Sequence, residues 1–265
     1  MKMSKSRVRV SIVIPAHNEE RHLRLCLEAI AAQTVAPYEV IVVDNNSTDN
    51  TATVAGEFPF VRVVPEAKQG IVFARNAGFD AAKGDIIGRI DSDIQLPKEW
   101  VAHVSAFYSD PKHSEEAWTG MGYFYNMPFP HFVSWSYGIL AFGFNKALLG
   151  HYTLWGSNMA VTRQQWQAVR RHVCKRNDIH EDLDLAIHID EAGYEITYDT
   201  SIKTNAELRR VQSDRNELWG YLQWWPTTLR IHGKKSWPLV WYFGAFNLYL
   251  ISFVFLAISK LTRRH

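Results

Sequence analysis

Asp91-Ser92-Asp93 places two carboxylates one residue apart, directly after the apolar run Ile86-Ile87-Gly88-Arg89-Ile90. Such a run reads as a buried strand, and alternate residues of an extended segment point the same way, so both acids can address one point. Hard divalent ions take oxygen ligands, and Mg²⁺ is usually held by one or two carboxylates together with the phosphates of a substrate. Mg²⁺ or Mn²⁺ on Asp91 and Asp93, bound against a diphosphate-bearing substrate, is therefore the first chemistry this chain offers. An isolated Asp-x-Asp is more often a pair of solvated loop acids, so its surroundings decide.

From residue 8 onward, β-rich runs alternate with helix-like stretches. Val8 to Ile14, Glu39 to Val43, Phe60 to Val64 and Ile86 to Ile90 read as strands, and Glu19 to Gln33, Asp49 to Phe58 and Gly70 to Lys83 as helices. This order predicts an α/β fold with a Rossmann-like, mostly parallel sheet flanked by helices. Ligands of such sheets sit beyond the carboxyl ends of the strands, which makes the polar residues there candidates. Pro15 is expected to end the first strand, and Asn18 or Glu19 to begin a helix; capping alone explains the acids here equally well. Asp44 ends the second strand, where a carboxylate could accept the imide N–H of uracil or thymine or the amino edge of guanine; the Ser47 to Asp49 cluster reads as a helix cap. Arg75 and Asn76 lie on the next turns of the helix opened by Gly70, and the guanidinium could grip a phosphate bidentately or simply be solvated.

These segments together resemble inverting family 2 glycosyltransferases of the GT-A type. The resemblance runs through Val10 to Glu19, Val42 to Thr51, Ala74-Arg75-Asn76-Ala77-Gly78 and Asp91-Ser92-Asp93, covering most of residues 8 to 100 in the family's order. It implies a nucleotide-sugar donor, UDP-, GDP- or dTDP-linked, held by the segments of Pro15, Glu19 and Asp44, with Arg75 near the nucleotide sugar. It also implies Mg²⁺ or Mn²⁺ on Asp91 and Asp93, of which Asp93 is the surer ligand. Gly156-Ser157-Asn158 looks like the family's small-residue segment lining the donor sugar and acceptor pocket, although a simple turn fits as well. Glu181-Asp182 resembles the family's acidic motif, with helix capping as the alternative. An inverting transfer needs one general base to take the proton of the acceptor hydroxyl; the resemblance gives that role to Asp182, with Glu181 binding acceptor or tuning it. Arg209 to Arg215 could close over the diphosphate, Arg215 included. Asn216 stands where processive relatives carry Trp, which weighs against polymer synthesis.

The bulk numbers fit. The chain has 265 residues, 47% of them hydrophobic, and a net charge of +2, enough for an ample core and against a nucleic-acid binder. Cys26 and Cys174 show no CxxC or Cys/His ligand spacing, so reduced thiols are expected rather than a disulfide framework or a zinc site. The basic N-terminus precedes too short an apolar run for a signal peptide. Leu239 to Ser259 carries no charged side chain and, as a helix, would measure about 31 Å, near the hydrocarbon thickness. The chain is therefore expected to divide into a GT-A domain over 1–217 and a membrane-associated helical segment over 218–265, in which Leu218 to Leu229 mixes aromatic and basic residues suited to a headgroup layer or to core packing. These features predict a glycosyltransferase at the cytoplasmic face of the cell membrane, single-pass or peripheral, acting on a lipid-linked or cell-envelope glycan acceptor. A polyprenyl-phosphate sugar synthase or a non-catalytic sugar-nucleotide binder are the alternatives. A nucleotidyltransferase would want a Gly-rich, basic phosphate loop after the first strand, and Pro15 to Glu20 offers acids.

Overall fold

The computed structural model describes residues 8–127, 129–207 and 215–234, the last stretch with side chains from 219 onward. The described strands are β1 (Val10–Ala16), β2 (Glu39–Asp44), β3 (Val61–Pro65), β4 (Ile86–Arg89), β5 (Ala117–Phe124), β6 (Met159–Thr162) and β7 (Ile196–Ala206). They form one sheet in the order β3-β2-β1-β4-β6-β5-β7. β1 to β4 run parallel, β6 is antiparallel to both neighbours, and β5 and β7 are parallel with an irregularity at Gly120/Met121. The helices are α1 (Leu23–Ala31), α2 (Thr51–Gly56), α3 (Ile71–Ala81), α4 (Trp100–Ser109), α5 (Pro130–Tyr137), α6 (Asn145–Leu149), α7 (Arg163–Val169), α8 (Glu181–Glu191) and α9 (Arg215–Ile231), with a π-helical stretch, Gly138–Phe144, joining α5 to α6.

Period-two alternation explains why both sheet faces are covered. Ile12, Ile14, Val40 and Val42 pack with Leu23 and Leu27 of α1 and Trp100 and Val104 of α4. Val13, Ile41, Val43 and Ile87 pack on the opposite side with Phe79 of α3, Trp166 of α7 and Leu185 and Ile189 of α8. Strands buried on both faces read as unbroken apolar runs, as these do. Close approach of α3 needs Gly78, where a Cβ would meet Val13 Cγ1 at 2.3 Å and Val43 Cγ2 at 2.9 Å.

Pro15 does not end β1, which runs on to Ala16 in register with Asp44. Val13 accepts from Ile90 on the β4 side and Ala16 from Asn45 on the β2 side, so the Pro15 nitrogen faces β4 just where that strand stops. No ladder bond is lost, and the proline is tolerated.

The boundary drawn after residue 217 falls inside α9. Leu229 is buried with Leu183 and Ile187 of α8, with Trp225 packed beside them, and Thr228 Oγ1 accepts from His180 N at 2.9 Å. This aromatic helix is thus a packed part of the α/β body. Among the described residues no helix is long and apolar enough to cross a membrane; Leu239 to Ser259 lies outside them, as do residues 208–214 and the side chain of Arg215.

Candidate active site

β1, β2 and β4 deliver their carboxyl ends to one edge of the sheet. β4 stops at Arg89 because its antiparallel partner β6 pairs only as far as Arg89↔Met159. The Asp-x-Asp pair therefore sits on a turn closed by Ile94 N and Asp91 O at 3.2 Å, not on extended backbone as the strand reading required. Asp91 and Asp93 are half-buried there, and both bear on the Cys26 thiol, which burial chiefly, with their charges, pushes upward.

Arg89 stands inside an apolar run of the sequence, yet it organises the site. Residues two apart on a strand share a face, so Arg89 lies with Ile87 on the side where α8 begins. It is 3% exposed. Its Nη2 lies 2.8 Å from Asp91 Oδ1 and 3.0 Å from Glu181 Oε1, so one guanidinium joins the Asp-x-Asp turn to the acidic motif. Burial opposes its charge, but Asp91, Glu181 and Asp182 outweigh that and raise its pKa.

The turn before β6 closes the ring. Ser157 Oγ donates to Asp91 Oδ2, and Gly156 N donates to Asp182 Oδ2 at 3.0 Å. Glycine makes room for the arginine, since a Cβ on residue 156 would fall 1.0 Å from Arg89 Nη1 and one of the two would have to move. The Gly156→Ala variant is expected to push Arg89 off its carboxylates and to lose roughly 1–3 kcal/mol of stability, the usual range for overpacking, measured as a lower denaturant midpoint. An unchanged midpoint would mean that Arg89 has another place to go.

Asp182 Oδ1 accepts from Leu183 N at 2.9 Å and pairs with His180 Nδ1. His180 Nε2 in turn lies 2.6 Å from the Tyr221 hydroxyl of α9. Glu181 and Asp182 are both nearly buried, and their surroundings drive them apart. Burial and the adjacent Asp182 push Glu181 upward against the pull of Arg89 and Arg75. At Asp182, burial is overcome by His180, Arg89 and the Gly156 N–H, which hold it below the usual carboxylate range. Neighbouring carboxyls split in this way are suited to different tasks. His180, Glu181 and Asp182 also bring ligand-type atoms within 4.8 Å of one another, but Arg89 already supplies their positive charge. The half-buried oxygens of Asp91 and Asp93 are of the type that could hold Mg²⁺ or Mn²⁺, those of Asp91 being engaged here by Arg89 and Ser157.

Other expected residues take different positions. Arg75 is fully buried; its Nη1 donates to Glu181 O at 2.5 Å and its Nε and Nη2 to Asn76 Oδ1. It anchors the start of α8 and is not aimed at a solvent-borne phosphate. Asn158 is likewise fully buried, accepting from Trp100 Nε1 at 2.7 Å and donating to Met121 O at 3.2 Å, so it is scaffold beneath the site. Glu19 turns to His22 Nδ1 at 2.9 Å at the entry to α1. Asp44 closes its own turn, accepting from Ser47 N at 3.3 Å. Asn45, which sequence reasoning passed over, is buried and stitches β2 to the loop before α3 through Glu66 O, Lys68 O and Gly70 N. Of the missed residues, Arg89 left the clearest signal: a charge inside an apolar run is rarely buried unpaired.

The model of the family described as glycosyl transferase family 2 matches residues 11–164. Undecaprenyl-phosphate 4-deoxy-4-formamido-L-arabinose transferase of Serratia proteamaculans is 39% identical over 100 residues, 34% of this chain and 31% of its own length. This chain spans about a third of the length of that relative. Among solved structures, S. aureus TarS 1-349 in complex with UDP-GlcNAc superposes with a TM-score of 0.62 at 16% identity, covering 84% of this chain and 65% of that one. The mannosyltransferase PcManGT from Pyrobaculum calidifontis, in complex with GDP-Man and Mn²⁺, gives 0.62 at 19% identity over 98% of this chain and 82% of that one. Likeness at such identities establishes the fold, the α/β GT-A architecture, while the family model covers the strands and turns that carry Asp44, Asp91, Asp93 and Gly156. On that match the chain belongs to glycosyl transferase family 2.

Proposed function

We propose that this chain moves a glycosyl unit from a nucleoside diphosphate sugar to an acceptor hydroxyl with inversion at the anomeric carbon. The observation that supports the reading is the Arg89 guanidinium shared by Asp91 and Glu181, which joins the Asp-x-Asp turn to the acid pair. Asp91 and Asp93 would hold Mg²⁺ or Mn²⁺, which when bound neutralises charge on the leaving diphosphate. Asp44, at the end of β2, would meet the base end of the donor, with Pro15 and Glu19 contributing to that edge. The acceptor oxygen bonds to the anomeric carbon as the bond to the diphosphate oxygen breaks, and the hydroxyl proton passes to Asp182. No covalent enzyme intermediate is needed.

A lipid-linked acceptor is supported by the surface around α5. Phe129, Phe132, Trp135 and Ile139 are 69%, 55%, 58% and 49% exposed, an apolar cluster of the kind that meets lipid or a partner. Tyr125, four residues before Phe129, is pushed up to about 12 by burial and by Glu207, with Asp93 adding to the effect. The name of the Serratia relative, with its undecaprenyl-phosphate, also points to a lipid-linked acceptor, although to a phosphate rather than a hydroxyl. On this reading the enzyme works at the cytoplasmic face of the membrane.

The test is release of nucleoside diphosphate from a panel of UDP-, GDP- and dTDP-sugars with Mn²⁺ or Mg²⁺. Turnover with one donor, lost with EDTA and in Asp93→Asn, is expected. Tight donor binding without release under any condition would make the chain a sugar-nucleotide sensor instead.

A further inference from the structure

Two residues along α8 from the base, the helix presents a second set of chemistry-bearing side chains. Asp184 and His188, four residues apart, share a helix face. His232, just past the end of α9, and Cys174, in the loop between α7 and α8, meet them there. One ligand atom from each of the four, a sulfur, a carboxylate oxygen and two imidazole nitrogens, lies within 4.8 Å of the others. Asp184 is fully buried, with Oδ1 2.9 Å from His232 Nε2 and 3.6 Å from His188 Nε2. His188 Nε2 is buried without a hydrogen-bond partner among the described residues, while its Nδ1 lies 3.4 Å from Glu191 Oε2.

We propose that Cys174, Asp184, His188 and His232 form a structural zinc site that clamps the end of α9 to α8. One thiolate, one carboxylate and two imidazoles are a closed set of four, and Zn²⁺ takes such ligands tetrahedrally at about 2.0–2.3 Å. That geometry sets donors roughly 3.3–3.8 Å apart, so donor separations in the cluster change by about 1–1.5 Å at most on closing. The thiolate and the carboxylate also cancel the charge of the ion, which spares the interior an unpaired charge. Glu191 stands where an outer carboxylate keeps the proton on Nδ1 of a ligand histidine and turns the Nε2 lone pair toward the metal. Burial chiefly, with His232 adding, lowers the pKa of His188 and favours the neutral ring that binds metal. Burial and Asp184 push the Cys174 thiol up to about 12, so zinc uptake must release that proton.

The site has a use. α9 carries Tyr221 to His180 and so to Asp182, and fixing the end of the helix fixes that contact. It is separate from the Asp91 and Asp93 turn, whose oxygen donors suit Mg²⁺ or Mn²⁺.

The test uses the full-length protein and needs no activity. After loading with Zn²⁺ and exhaustive dialysis, about one zinc per chain is expected to remain, and exchange with Co²⁺ should give a thiolate-to-cobalt charge-transfer band. Cys174→Ser should abolish that band, Glu191→Gln should weaken zinc binding roughly 10–100-fold, and the Asp91→Asn/Asp93→Asn double variant should keep its zinc. Zinc at trace level in the wild-type protein, cobalt without the charge-transfer band, or a band that survives in Cys174→Ser would each overturn the assignment. Should Cys174→Ser fail to fold, the wild-type cobalt spectrum decides by itself.

Discussion

Asp182→Asn is expected to lower turnover by roughly 10²–10⁴-fold, the usual worth of a positioned proton acceptor, with donor binding almost unchanged. The carboxylate is nearly buried and accepts from Gly156 N, Leu183 N and His180. Asparagine keeps the shape and one acceptor oxygen but presents an amide where a proton must go. Held below the usual range, Asp182 is fully ionised at neutral pH and is a weak base. It is suited to a proton that is acidified late, once the acceptor oxygen has begun to bond to the anomeric carbon. Single-turnover kinetics and donor titration separate the two effects: chemistry falls and donor affinity stays. An acceptor phosphate needs no base, so turnover retained within a few fold in Asp182→Asn would move the assignment to a polyprenyl-phosphate acceptor. The three occupied hydrogen bonds on Asp182 give that outcome a physical basis, and the comparison decides between the two acceptor classes.

The half of the fold built from short-range pattern was readable from the chain. Val10 to Ala16, Val40 to Val43 and Ile86 to Arg89 are buried on both faces, and that burial is what wrote the continuous apolar runs. The turn chemistry after β2 was legible only in part: Asp49 accepts from Thr51 N at 2.9 Å, but the cap position of α2 falls to Asn50, which makes no side-chain cap bond. What escaped was set by contacts between distant elements. Whether Arg75 meets solvent depends on where α8 docks, and α8 docks on the arginine itself. Asn158 belongs to the scaffold because Trp100 comes from the other side of the sheet. The absence of a Cys/His ligand spacing argued against zinc, but the proposed ligands come from a loop, a helix face and the residue after another helix, a grouping that no local spacing can express. The aromatic stretch of α9 matched a headgroup layer by composition, whereas Tyr221, Trp225 and Leu229 are spent on His180 and α8.

Arg89→Met is expected to be among the most destabilising single changes in the protein. Removing one partner of a buried ion pair typically costs about 3–5 kcal/mol, because the other charge is left uncompensated. Here two carboxylates lose the same guanidinium, one of them the buried Glu181. The loss carries a pH signature whose sign follows from Glu181. Burial and Asp182 already raise its pKa in the folded chain, and Arg89 is one of the groups pulling it back. Without Arg89 the folded value rises further above the unfolded value of about 4.3. A carboxyl raised in this way binds more protons folded than unfolded, so stability falls as pH climbs from the unfolded value through the folded one. At pH 5 the variant can bury Glu181 as the neutral acid and lose less; at pH 8 it must bury the charge or unfold. Guanidinium denaturation of wild type and variant at the two pH values measures this, with the deficit expected to be larger at pH 8. An equal deficit at both would mean that Arg89 acts through packing alone, and the electrostatic link between the Asp-x-Asp turn and the acid pair, on which the placement of Asp182 depends, would have to be abandoned.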